Sequence, residues 1–64
     1  MELPADLQEA LDANPGAKEF FATLNGQNRY SVLYRIHDAK RPETRARRIA
    51  KYVDMLARGE KIYP

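Results

Sequence analysis

The sequence contains no cysteine and a single histidine among its 64 residues. Without cysteine the chain has neither a disulfide framework nor a thiolate metal site. A chain of this length buries only about 60% of the surface that it exposes when unfolded, so a small hydrophobic core must hold the fold without covalent support. The lack of cysteine fits a reducing compartment. We expect no cofactor and no metal ion.

Long apolar segments are missing as well. No run approaches the roughly 18 residues of a membrane-spanning helix, so we expect no membrane insertion. The amino terminus, MELPADLQEA, carries acidic residues where a secretory signal has basic residues followed by an apolar stretch. We therefore expect a cytoplasmic protein.

Groups that serve in catalysis are scarce. His37 is followed by Asp38, but adjacent side chains on a helix point in different directions and do not form a pair. Ser31, Thr23 and Thr44 have no evident base beside them. The three glycines fit helix boundaries rather than a phosphate-binding loop. We expect that the protein is not an enzyme.

Charge is divided unevenly along the chain. Residues 1–25 contain five acidic residues and one lysine, which gives −4, whereas residues 26–64 contain ten basic and four acidic residues, which gives +6. Together they give the net charge of +2. This asymmetry fits an anionic partner, and it fits equally an attraction between the two halves of the fold.

The spacing of the apolar residues predicts four helices. Apolar side chains recur every three or four residues and β-branched residues are few, which favours helix over strand. Asn14 and Pro15 are expected to cap and start the second helix, and Pro42 to start the fourth. Gly26 and Gly59 are expected to close the helices that precede them. The predicted all-α bundle is a single domain over residues 1–64, with helices at about 4–13, 15–24, 27–39 and 42–58.

The third helix is expected to bury its aromatic residues. Tyr30 and Tyr34 fall on its apolar arc, so packing in the core is favoured over a stacking platform for bases. His37 lies on the same arc and is expected to be partly buried and hydrogen-bonded. The opposite side of this helix is expected to carry Ser31, Arg35 and Asp38.

The fourth helix has the most regular pattern. Its core face is predicted to consist of Ala46, Ile49, Ala50, Val53, Leu56 and Ala57, with Tyr52 at the edge. Beyond Gly59, the apolar side chains of Ile62 and Tyr63 are expected to fold back over the bundle.

Six basic residues and one acidic residue occupy positions 40–51. This segment fits a solvated helix face, because Glu43 and Arg47 are spaced for a stabilising pair. It also fits a surface for a protein partner, or the second helix of a helix-turn-helix that binds nucleic acid. Arg45 differs from the other bases, since it lies at the apolar border and can reach an acid of the amino-terminal half.

The same segment carries a family resemblance. AKRPETRARRI at Ala39–Ile49 and the methionine-leucine-alanine-x-glycine ending at Met55–Gly59 resemble the signature of the YdeI/OmpD-associated family, also described as bacteriocin-protection proteins. The upstream LPADLQEALDANPGAKEFFATL resembles that family's lead-in. The resemblance implies an all-helical domain, usually at the carboxy end of longer bacterial proteins behind a small β-rich domain. The chain is then either a stand-alone version or an excised one.

The family name implies a role in tolerance of bacteriocins, without an established activity. The leading hypothesis is a small, non-enzymatic module, monomeric or weakly dimeric, that binds an unidentified protein partner. The alternative is a nucleic-acid-binding module that uses the basic fourth helix. The candidate contact surface consists of Lys40, Arg41, Pro42, Glu43, Thr44, Arg45, Arg47, Arg48 and Lys51.

Overall fold

The structure, a computed structural model, describes residues 3–62. Its helices are α1 (Ala5–Asp12), α2 (Pro15–Thr23), α3 (Gly26–His37) and α4 (Pro42–Ala57), and the described residues contain no strand. The predicted all-α class is confirmed, and each predicted helix boundary lies within two residues of the observed one.

The starts of α2 and α4 follow from their prolines. Asn14 caps α2 by accepting a hydrogen bond from the backbone N–H of Ala17 at 3.3 Å, and Pro15 is the first helical residue. Pro42 starts α4 in the same way, and Arg41 before it is extended, as the residue before a proline prefers to be.

The expectation that Gly26 closes the second helix is wrong. Leu24 is already extended after α2, and Gly26 is the first residue of α3. Asn25 caps α3, because its Oδ1 accepts hydrogen bonds from the backbone N–H of Asn28 at 2.9 Å and from that residue's Nδ2 at 3.2 Å. A side-chain cap at the start of the next helix removes the need for a left-handed residue between them.

Gly59, in contrast, closes α4 as predicted. Its φ of +74° places it in the left-handed region. The Gly59 N–H donates to the Leu56 carbonyl at 2.9 Å, and the Glu60 N–H donates to the Met55 carbonyl at 3.0 Å. These two bonds are the Schellman pattern, which satisfies carbonyls that the end of a helix leaves unpaired.

The core lies around α4, which packs against each of the other three helices. The radius of gyration of 10.6 Å is close to the value of about 10.7 Å expected of a compact chain of this length. Ile62 is half-buried against the core, as predicted, whereas Tyr63 lies outside the described residues. The buried core consists of Leu7, Leu11, Ala17, Phe21, Leu24, Val32, Leu33, Ile36, Ile49, Tyr52, Val53 and Leu56.

The predicted core face of α3 needs correction. Tyr30 and Tyr34 are 54% and 51% exposed, His37 is exposed, and Ser31 is buried instead. The helix makes its main contacts with α4, and this packing sets which side of α3 is buried. The buried arc of α3 is therefore displaced from the predicted one and not narrower, and it consists of Asn28, Ser31, Val32, Leu33 and Ile36.

The predicted core face of α4 is also partly wrong. Ala46, Ala50 and Ala57 are exposed, and Tyr52 is buried rather than at the edge. Burying the large ring of Tyr52 removes more apolar surface from water than burying an alanine does, so the helix is turned toward Tyr52. No helix within residues 3–62 is long and apolar enough to cross a membrane.

Candidate functional site

The segment from Asp38 to Arg41 forms the turn that connects α3 to α4. Ala39 is buried in this turn, and its backbone N–H donates to the Ile36 carbonyl at 3.1 Å. The residues on either side, Asp38 and Lys40, are exposed. The turn is thus anchored at its centre, and it presents charged side chains to solvent.

Arg45 links three parts of the fold. Its Nε and Nη2 donate to the Asp6 carboxylate of α1, at 2.5 Å to Oδ2 and 3.1 Å to Oδ1. Its Nη1 donates to the Ile36 carbonyl at the end of α3, at 3.4 Å. The expectation that Arg45 reaches an acid of the amino-terminal half is confirmed.

The ion pair shifts the pKa values of both of its members. The hydrogen bond from Arg45 lowers the pKa of Asp6 below the ordinary aspartate value, and the bond to Asp6 raises the pKa of Arg45. Both side chains are therefore charged across the physiological range.

Arg48 holds the end of α3. Its Nη1 donates to the Arg35 carbonyl at 2.7 Å and lies 3.8 Å from the Asp38 carboxylate. A cation at the carboxy end of a helix satisfies a free carbonyl and offsets the negative end of the helix dipole. Arg48, like Arg45, therefore fixes how α3 and α4 meet.

Other bases of the segment are open to solvent. Lys40, Arg41 and Arg47 are exposed, and among residues 3–62 none of them forms an ion pair. The expected pair of Arg47 with Glu43 does not form. Lys51 is exposed, and its Nζ lies 5.6 Å from the centroid of the Tyr52 ring.

A groove opens beside the turn, between α1 and the first half of α4. Its volume is about 490 Å³, within the range of ligand-binding clefts. Small apolar side chains form most of the groove, and Lys40 and the paired Asp6 and Arg45 also line it. The lining residues are Asp6, Ala10, Ala39, Lys40, Pro42, Arg45, Ala46, Ile49 and Ala50.

One family model matches this chain. It is described as "Bacteriocin-protection, YdeI or OmpD-Associated", and it covers residues 1–59. The chain belongs to this family. The resemblance of the AKRPETRARRI segment is thereby confirmed. Comparison with curated proteins and with solved structures gave no match.

The family match covers all four helices and the turn between α3 and α4. The structure divides the family-like segment into two groups. Arg45 and Arg48 make hydrogen bonds within the fold, and Thr44 is half-buried. The exposed members of the predicted contact surface are Lys40, Arg41, Pro42, Glu43, Arg47 and Lys51.

Two features of the surface could not be read from the apolar pattern. The pattern places Ala46 and Ala50 in the core, whereas the structure leaves them along a groove. It also places Tyr30 and Tyr34 in the core, where the structure exposes them. The phenol hydroxyl of tyrosine was the available signal, because Tyr can keep one end in water where Leu cannot.

Proposed function

We propose that this chain is a helical protein-interaction module whose contact site is the turn surface, defined as Lys40, Arg41, Pro42, Ala46, Arg47 and Ala50. One observation carries the proposal. Lys40, an exposed cation that forms no ion pair within residues 3–62, lines a groove with apolar walls, and Arg41 and Arg47 are adjacent in sequence to other lining residues. An apolar centre with a charged rim is the common anatomy of a protein-binding site.

The chemistry of the turn surface defines the partner that it would accept. An apolar side chain of the partner would enter the groove against Ala46, Ile49 and Ala50. A carboxylate beside it would pair with Lys40 or Arg47. The small alanines let a partner backbone approach α4 closely, as at other helix contacts built on small residues. The partner we propose is an acidic protein segment with a bulky apolar residue.

We also propose that the module acts without catalysis. The support for this comes from the sequence, which has one histidine and no cysteine. The histidine, His37, is exposed on α3, and Asp38 beside it is directed to Arg48 at 3.8 Å.

A charge reversal tests the site. Arg47→Glu should weaken capture of the partner from a lysate of the source cells, because the acidic segment would meet a carboxylate. Lys61→Glu makes the same charge change beyond the far end of α4 and should leave capture unchanged. Both side chains are exposed, so both variants should keep the wild-type unfolding curve within about 0.5 kcal/mol. Equal capture by all three proteins would refute the proposed site.

The helix-turn-helix alternative uses the basic residues of the fourth helix, Arg45, Arg47, Arg48 and Lys51. Arg45 and Arg48 already donate hydrogen bonds to Asp6 and to carbonyls of α3. Fewer cations therefore remain to contact phosphates. A duplex DNA added to the same proteins at low salt tests this alternative. Strong salt-dependent binding that Arg47→Glu abolishes would favour it over a protein partner.

A further inference from the structure

The outer face of α3 carries an exposed aromatic pair. Tyr30 and Tyr34 are each about half exposed, and among residues 3–62 they are the large apolar side chains left on the surface. Their ring centroids lie 6.1 Å apart with an interplanar angle of 23°, which is a stacked arrangement. Because the rings stack on each other and not in the core, each keeps part of its surface open to a ligand.

A cation is held beside the rings. Tyr30, Ser31, Tyr34 and Arg35 line a hollow of about 450 Å³. The Arg35 Nη1 donates to the Ser31 carbonyl at 3.3 Å, which keeps the guanidinium next to the tyrosines. Arg48 of α4 is adjacent, since its Nη1 donates to the Arg35 carbonyl at 2.7 Å.

The positive charge continues along α4. Lys51 follows Arg48 by three residues and therefore lies on the same side of the helix. Asp38 is the carboxylate nearest to Arg48, at 3.8 Å, and it offsets part of that arginine's charge. Arg35 and Lys51 form no ion pair among the described residues. An aromatic surface with a cationic edge results, and we call it the tyrosine platform: Tyr30, Tyr34, Arg35 and Lys51.

We propose that the tyrosine platform binds single-stranded nucleic acid. A base would stack on Tyr30 or Tyr34, and the phosphates beside it would lie along Arg35 and Lys51. Stacking of one base on an aromatic side chain raises affinity about five- to hundredfold, whatever the base, because every base has a π-face. Arginine and lysine supply the phosphate contacts. This function is separate from the turn surface and goes beyond it.

Two competing ligands fit the platform less well. In a duplex the bases are already paired and stacked, so their faces are not available to tyrosine. Proline-rich peptides also dock on aromatic surfaces, but they bring no phosphate for Arg35 and Lys51. The combination of rings and unpaired cations therefore favours a single strand.

The test measures fluorescence anisotropy of a labelled oligothymidine of about ten nucleotides, a length suited to one small binding site. The full chain should bind it at low salt and lose affinity as salt rises, with a log–log slope of about −0.7 for each phosphate contacted. A labelled duplex of the same length should bind more weakly than the single strand.

Matched variants locate the site. Tyr34→Ala should weaken binding at least about fivefold, whereas Tyr34→Phe keeps the ring and should stay within about twofold. Lys51→Gln should make the salt slope shallower by about 0.7, and Lys61→Gln, beyond the end of α4, should not change it. Tyr34 is half exposed, so its variants should keep the wild-type unfolding curve. Tyr30→Ala repeats the Tyr34→Ala binding test independently on the other ring.

Several results would overturn the proposal. These are the absence of oligothymidine binding at low salt, equal affinity for single strand and duplex, and unchanged affinity in both Tyr30→Ala and Tyr34→Ala. A proline-rich peptide that binds with no salt dependence, where oligothymidine does not bind, would assign the tyrosines to a protein partner instead.

Discussion

Arg47 and Arg48 are adjacent in the sequence, yet their surroundings differ. Arg48 donates to the Arg35 carbonyl at 2.7 Å, while Arg47 is exposed and, within residues 3–62, forms no ion pair. Successive residues on a helix are turned about 100° from each other, so one can face a neighbouring helix while the next faces solvent. A run of basic residues on a helix is therefore not one functional unit.

Replacing each of these arginines by glutamine should separate the two roles. Arg48→Gln should lower the free energy of unfolding by about 1 kcal/mol, because a hydrogen bond from a charged group to the end of α3 is lost. In a domain this small that corresponds to a fall of about 4–8 °C in melting temperature. Arg47→Gln should stay within about 0.5 kcal/mol of the wild type. Urea unfolding of the two variants measures the difference, and equal losses would contradict the assignment.

The ion pair between Asp6 and Arg45 should make stability depend on pH. The pKa of Asp6 is lowered in the folded state by the hydrogen bond from Arg45. Its stabilising effect is therefore present above the unfolded aspartate pKa of about 3.9 and is lost as pH falls through the lower folded pKa.

Asp6→Asn keeps an acceptor oxygen but removes the charge. At neutral pH the variant should be less stable than the wild type by about 0.5–1 kcal/mol, the range for a partly exposed pair. Below the folded pKa of Asp6 the difference should vanish, because the wild-type carboxyl is then uncharged too. Unfolding curves of both proteins across the acid range test this, and a difference that persists at the lowest pH would contradict it.

At the scale of the helices, the boundaries could be predicted, whereas the buried faces could be predicted only in part. Pro15 and Pro42 act through their restricted φ and Gly59 through its freedom to adopt a positive φ, and both effects depend only on neighbours in the chain. The face that a helix buries depends on how many other helices pack against it. The main neighbour of α3 is α4, and the buried arc of α3 includes Asn28 and Ser31. The pattern that counted Tyr30 and Tyr34 as core therefore placed the arc on the wrong side of the helix.

The two glycines at helix ends should respond differently to alanine. Gly59 has a φ of +74°, so Gly59→Ala should cost about 1 kcal/mol, although no atom lies within 4 Å of the added Cβ. Gly26 begins α3 with ordinary backbone angles and open space around it. Gly26→Ala should leave stability unchanged or raise it by up to about 0.5 kcal/mol. Thermal unfolding of both variants tests this. A larger loss of stability in Gly26→Ala than in Gly59→Ala would contradict the assignment of Gly59 as the residue that closes α4.

At the scale of the whole molecule, the two halves of opposite charge attract each other at one place among residues 3–62. Asp6 pairs with Arg45 across the halves, whereas the other ion pairs join residues of the same half. Among the described residues, the attraction between the two halves is thus limited to this one ion pair. Most of the positive excess of residues 26–64 remains on the surface, which is the physical basis for expecting an anionic or acidic partner.

The candidate site could be predicted only in part from the sequence. The sequence shows that positions 40–51 are rich in bases. It does not show which bases the fold uses, because the hydrogen bond from Arg48 to the Arg35 carbonyl joins residues 13 apart in the chain. The groove was not predictable, since it depends on α1 and α4 leaving a gap at Ala10 and Ala46.

The most direct test of the account places a photo-crosslinking side chain at Ala46, inside the groove, or at Glu19 of α2, outside it. Both positions are exposed, so both variants should fold. We expect irradiation in cells to join one protein, which carries an acidic segment, to position 46. Position 19 should not capture this protein, and adding Arg47→Glu to the position-46 variant should remove the crosslinked product. Equal capture from both positions, or capture from position 19 alone, would contradict the assignment of the turn surface as the contact site.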